Sequence, residues 1–192
     1  LLILKDNKFS FCYFLLALIH ESYADFHKTL FYFKLFFKYH QNYTVTSYYL
    51  SLLQKLPNIT STFLLNQSIT KLSHFNLTCS KYKPTIKSSI IRIGYVCSFM
   101  NTKCCESQLF PFIKHHNKNN FKTFGYGPTL SHKHINVFDS YSSIFKMPDD
   151  YIIKKLRSDN LDIIIECSGF SPYNSLLHLS ARCAPIQISY MN

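Results

Sequence analysis

The sequence predicts an α/β protein, a Rossmann-like parallel sheet preceded by a helical N-terminal region. Three runs predict the sheet. Ile90-Ile91-Arg92-Ile93-Gly94-Tyr95-Val96 is β-branched and leads into Cys97-Ser98; residues 161–169 hold Ile163-Ile164-Ile165 and end on Ser168-Gly169; residues 184–190 bring Pro185-Ile186-Gln187-Ile188 close to the last residue. Strands of a parallel sheet are covered on both faces by crossover helices, so they read as near-continuous apolar runs with helical segments between them. Everything before residue 85 reads as helical lead-in, giving two expected regions, 1–85 and 86–192.

The 192 residues, 47% of them hydrophobic, suffice for one domain or one and a half and for a real core. The chain starts on Leu1 and stops on Asn192 just after a strand, so a fragment of a longer protein is expected. A net charge of +11 invites a nucleic-acid reading. The cations are scattered, however, seven before residue 81 and fourteen from there on with no long basic run, so a basic solvated surface is expected and no nucleic-acid partner. Seven Cys is an odd number without a Cys-x-x-Cys pair, which fits reduced thiols and a cytoplasmic, also nuclear, location better than a disulfide framework. Cys104-Cys105 with His115-His116 matches no zinc spacing, and no metal is expected. Asn42, Asn58, Asn66 and Asn76 head glycosylation sequons, which matter only in a secreted protein.

The most apolar window, residues 9–19, is too short to span a bilayer, and no membrane partner is expected. Preceded by Lys5 and Lys8 and followed by Ser22-Tyr23-Ala24, it also has the shape of a signal-peptide core with a cleavage site. The favoured reading is a buried helix continuing into 26–39, where Phe26, Leu30, Phe33 and Phe37 recur at helical spacing. Residues 45–56 form a further helix stopped by Pro57-Asn58, and 61–75 another. Residues 76–89, polar and broken by Pro84, form the connector, and no internal repeat stands out.

After the first strand, 106–116 is helical with a kink or late start at Pro111. Residues 121–127 alternate with a period of two and form a strand, 129–140 a loop, and 144–147 a short strand. Pro148-Asp149-Asp150 opens a helix to Ser158, its acids placed against the positive end of the helix dipole. The 161–169 strand, a helix over 173–183 and the last strand complete a β-α-β-loop-β-α-β-α-β order.

In such sheets ligands sit outside the carboxyl ends of the strands, which points to Cys97-Ser98 and Ser168-Gly169. No G-x-G-x-x-G follows the first strand, so a dinucleotide fingerprint is absent. Arg92-Ile93-Gly94-Tyr95-Val96, Phe121 with Gly125 and Gly127, the run Asp162 through Gly169, and Asn174, Leu176, Ala181-Arg182 and Ala184-Pro185-Ile186-Gln187-Ile188 together resemble the first catalytic half of protein O-linked N-acetylglucosamine transferases, a group that includes related O-fucosyltransferases. The resemblance covers residues 88–192.

It implies a GT-B fold, in which two Rossmann-like halves face each other across a cleft. It also implies metal-independent transfer of N-acetylglucosamine, or fucose, from a nucleotide sugar (UDP-N-acetylglucosamine) to protein Ser/Thr hydroxyls. The nucleotide would be held mainly by a second half beyond Asn192, so the segment by itself should be inactive. Ser98, Lys103, Ser168, Gly169 and Phe170 fall where that family lines its cleft. Two departures stand out: Lys103 occupies the place of the family's cleft histidine, and Phe99 that of an aspartate. A neutral imidazole accepts a proton near pH 7 and an ordinary lysine does not; positioned acid–base catalysis is worth about 10²–10⁴-fold. Lys103 is then a phosphate contact or a solvated loop residue. Phe170 packs under a sugar or peptide or belongs to the core, Arg182 caps its own helix, and His178 is a surface or packing residue. Two rival readings follow: a non-catalytic remnant that binds proteins, and a secreted α/β binding domain.

Overall fold

The three apolar runs form adjacent strands of one sheet. The computed structural model describes residues 9–75 and 89–190, in two units, Leu1–His74 and Phe75–Asn192. In the second unit β1 (Ile91–Val96), β2 (Phe121–Gly127), β3 (Ser140–Ser143), β4 (Ile163–Glu166) and β5 (Ile186–Ser189) build a five-stranded sheet in the order β3-β2-β1-β4-β5. Every pairing is parallel; Ile93 stands opposite Thr123 on one side and Ile163 on the other, and Val96 opposite Tyr126 and Glu166. This is a Rossmann-like α/β fold.

Alternation along the strands sends side chains into two cores. Ile93 and Tyr95 pack with Cys105, Leu109, Phe110 and Ile113 of α5, a π-helical turn at Cys105–Leu109 continued by an α-helix at Phe110–Lys114. Val96, Phe124, Tyr126 and Ile164 pack on the other face with Ile152 and Leu156 of α7 (Asp149–Ser158) and Leu179 of α8 (Leu176–Ser180). Coverage of both faces explains the unbroken apolar runs of β1 and β4, whereas β5 is an edge strand with Ile186 and Ile188 exposed.

Several boundaries differ from the sequence reading. The third strand is Ser140–Ser143 rather than 144–147, because pairing with β2 (Phe124↔Ser140, Gly127↔Ser143) selects the polar serines for the edge and leaves Ile144 to the core beside α7. The 129–140 loop contains a short helix, α6 (His132–Ile135). The helix expected over 173–183 shrinks to α8, since Tyr173 (φ 61°) and Arg182 (φ 55°) both take left-handed backbone. The 76–89 connector lies outside the described residues except for Ser89, as do Lys5 and Lys8.

The first unit is four helices: α1 (Ser10–Ser22), α2 (Phe26–Tyr39), α3 (Tyr43–Lys55) and α4 (Ser61–Leu72). Three have side-chain N-caps, with Asp25, Asn42 and Thr60 accepting from the backbone N–H of Lys28, Val45 and Phe63; Asn42, a sequon residue, is thus a helix cap. Tyr13, Ala17, Phe33, Phe36, Phe37, Val45 and Leu52 form its core. α1 and α3 begin at Ser10 and Tyr43, α2 and α4 at Phe26 and Ser61. The hairpin therefore recurs after about 34 residues, the period of tetratricopeptide-type arrays, which corrects the reading that no repeat is present. Among the described residues no helix is long and apolar enough to cross a membrane.

Three strand glycines, Gly94, Gly125 and Gly127, hold the sheet tight. A Cβ on Gly94 would meet the Leu161 Cδ1 at 2.6 Å, the end of a flexible side chain, whereas one on Gly127 would meet the backbone carbonyl of Cys97 at 2.5 Å. Gly127→Ala is therefore expected to cost about 2–3 kcal/mol and Gly94→Ala less, measured by urea unfolding of the two variants side by side.

Candidate functional site at the carboxyl edge of the sheet

The chain runs β1, β2, β3 outward in one direction and returns to place β4 and β5 on the other side of β1. The strand order thus reverses between β1 and β4, and loops leaving the two strands in opposite directions open a crevice there. The segments flanking it are 97–104 and 167–175.

Glu166, the last residue of β4, is fully buried. Its Oε2 accepts the backbone N–H groups of Ser168 (3.0 Å) and Gly169 (2.9 Å), which folds the chain sharply at the strand tip. Gly169 sits at φ 55°, a conformation that costs glycine nothing. Burial pushes the Glu166 carboxyl above the ordinary acid range, opposed by hydrogen bonds from Ser168, Gly169 and Ser175.

The turn delivers Ser168, nearly buried, across the crevice, where its Oγ accepts the backbone N–H of Ser98 at 2.8 Å. The Ser98 hydroxyl meets that of Ser171 at 2.9 Å. Ser98, Ser168 and Gly169 are thus brought together, and Ser171, which sequence reasoning missed, joins them. The cluster offers hydroxyls rather than a base, which suits recognition of a hydroxyl-rich or anionic ligand.

Lys103 stands exposed at the start of the helix that follows β1 and makes no hydrogen bond or ion pair among the described residues. Phe170 is half-buried beside Gly169. A second group lies on the segments after β3 and β4, where the rings of Phe145 and Tyr173 meet edge to face at 5.0 Å. Lys146 Nζ lies 5.4 and 5.7 Å from their centroids.

Beneath the crevice are thiols. Cys97 Sγ lies 3.7 Å from Cys105 Sγ, and burial pushes Cys167 up to about 12. Cys104 is exposed, and His116 is committed to the Tyr95 hydroxyl at 2.6 Å, so the Cys104-Cys105/His115-His116 set is dispersed. No three potential metal ligands converge among the described residues.

The motif residues near the C-terminus position this edge rather than line it. Asn174 accepts the Leu176 N–H and donates to the Ser171 carbonyl, fixing the start of α8. Gln187 donates to the Leu179 carbonyl and accepts the Cys183 N–H, fastening β5 to the end of α8. The backbone N–H of Arg182 bonds the Leu179 carbonyl just past the C-cap Ala181, while its side chain is exposed; the guanidinium at this helix end is that of Arg157, on the Ala181 carbonyl. His178 is buried and bonded through Nε2 to Asp149 at 2.9 Å, joining α8 to the first turn of α7.

No family model matches this sequence. No curated protein matches it either. Among solved structures, a mutant of the Thermobaculum terrenum O-GlcNAc transferase superposes with a TM-score of 0.76 at 15% identity, over 86% of this chain and 34% of that one. The likeness is one of fold. It covers more of the chain than the α/β unit alone supplies, so it takes in part of the helical unit. The chain spans about a third of that protein's length.

Because Glu166 binds its proton more tightly in the folded chain, its stabilising contribution is full below the ordinary value of 4.5 and is lost as pH rises through the native value. Glu166→Gln keeps an acceptor for the two N–H groups without the buried charge. It is therefore expected to gain on the parent as pH is raised from 4.5 to 8 in urea unfolding. Glu166→Ala leaves both donors unmet and is expected to lose about 2 kcal/mol or more throughout.

Proposed function

We propose that the α/β unit is the first catalytic half of a glycosyltransferase of the protein O-GlcNAc transferase kind, moving N-acetylglucosamine from UDP-N-acetylglucosamine to protein Ser/Thr hydroxyls within a larger enzyme. The reading is supported by one combination: the chain superposes on the Thermobaculum terrenum enzyme at a TM-score of 0.76 over 86% of its length, and its sheet carries a hydroxyl cluster where the strand order reverses. In this reading Ser98, Ser168 and Gly169 shape one wall of a cleft. Phe170 packs against the sugar or the acceptor, and Lys103 contacts a donor phosphate. The second half supplies most of the nucleotide site, and no metal takes part. The cysteines among the described residues are all free thiols, which supports a cytoplasmic setting.

A second reading, a non-catalytic protein-binding relative, is favoured by one feature. Lysine at 103 and phenylalanine at 99 replace the histidine and aspartate of the resembled family, and the cluster at the crevice contributes hydroxyls alone.

Donor turnover separates the two. The longer protein containing this chain, carrying Lys103→His, is expected to hydrolyse UDP-N-acetylglucosamine at least tenfold faster than the same protein with lysine, in line with the usual worth of a positioned imidazole. The 192-residue chain alone is expected to be inactive. Absence of donor turnover and donor binding in both longer proteins rejects the transferase reading in favour of the second.

A further inference from the structure

The helical unit has a cavity of about 430 Å³ between α2, α3 and α4 that opens to solvent beside the exposed Phe63 and Lys34, within the size range of small-molecule sites. Five of its nine lining residues are apolar: Leu30 and Phe37 from α2, Leu53 from α3, Phe63 from α4 and Ile59 from the turn before it. The other four are polar, two of them cationic and none acidic. Lys34 and Lys71 reach it from α2 and α4, and Tyr49 donates its hydroxyl hydrogen to Gln67 Oε1 at 3.5 Å.

No carboxylate lines this cavity. The two acids of the described part of the unit are used elsewhere: Glu21 accepts the Tyr48 hydroxyl at 2.6 Å, and Asp25 caps α2 and pairs with Lys28 at 3.1 Å. Neither Lys34 nor Lys71 has a salt-bridge partner among the described residues. Lys71 Nζ instead lies 4.1 Å from the centroid of the Phe37 ring, and its partial burial holds its pKa below the usual lysine value. A desolvated ammonium on an aromatic face, with no acid to answer it, gains from an incoming anion. The following segment, 76–88, is a poor occupant by charge, with three lysines and no acid.

We propose that this cavity binds a small anionic amphiphile, a carboxylate on an aliphatic chain of about ten carbons. The chain lies against Leu30, Leu53, Ile59 and Phe63, and the carboxylate pairs with Lys71 and Lys34. The volume suits one alkyl chain and not a peptide helix, which is about 10–12 Å across. The site is independent of the glycosyltransferase reading.

Isothermal titration of the whole chain with decanoate and dodecanoate below their micellar concentrations, and with decan-1-ol below its solubility limit, tests it. Saturable one-to-one binding of decanoate is expected, with dodecanoate tighter on the order of tenfold for its two further methylenes. Lys34→Met/Lys71→Met keeps the alkyl stems and is expected to weaken decanoate at least tenfold while leaving decan-1-ol unchanged. Ile59→Trp, at a half-buried turn position, is expected to abolish binding of both while circular dichroism confirms retained helix. The proposal is overturned if decan-1-ol binds as tightly as decanoate, if both variants bind decanoate like the parent, or if decanoate gives no saturable heat. Preferential binding of an acidic peptide over decanoate also overturns it.

Discussion

At the tip of β4 a carboxylate with no access to solvent holds the two backbone N–H groups that follow it, and the crevice is arranged around that contact. Ser168 reaches the Ser98 backbone only because Glu166 has already bent the chain through Gly169. A buried acid is an expensive way to make a turn. Here the geometry is anchored from within the sheet rather than from the loop, so the hydroxyls at the crevice inherit the rigidity of the central strands.

The same economy runs through the neighbouring elements. Gln187 and Asn174 spend their amides on the ends of α8, and His178 ties α8 to the start of α7. These residues belong to the most distinctive run of the sequence, yet none has to touch a ligand to matter. They fix where the segment 167–175 can go, and through it the position of Ser168 and Ser171.

What was legible in the sequence follows from burial. β1 and β4 announced themselves because strands covered on both faces must be apolar over their length; β5 is an edge strand that was legible from its own composition, although Ile186 and Ile188 stand exposed. β3 did not, since Ser140-Tyr141-Ser142-Ser143 is an edge strand whose identity comes from its partner β2 and not from its own composition. The hairpin period of the first unit was hidden for the opposite reason. Phenylalanine and leucine are so dense in α1 and α2 that apolar spacing carries little contrast, and the period resides in the turns. At the crevice, Ser98, Ser168 and Gly169 could be placed from strand ends alone. Ser171 could not, because its meeting with Ser98 depends on a turn that no local pattern reports. Glu166 was missed, because a charge at the end of an apolar run does not by itself say that its side chain turns inward to hold the following backbone N–H groups.

The recurring hairpins have a consequence for how such a chain can change over time. In a stacked array each hairpin leans mainly on the next, so whole units can be gained or lost by duplication or deletion at little cost to those that remain. A region built this way is free to lengthen or shorten in descendants while the sheet downstream keeps its residues in register.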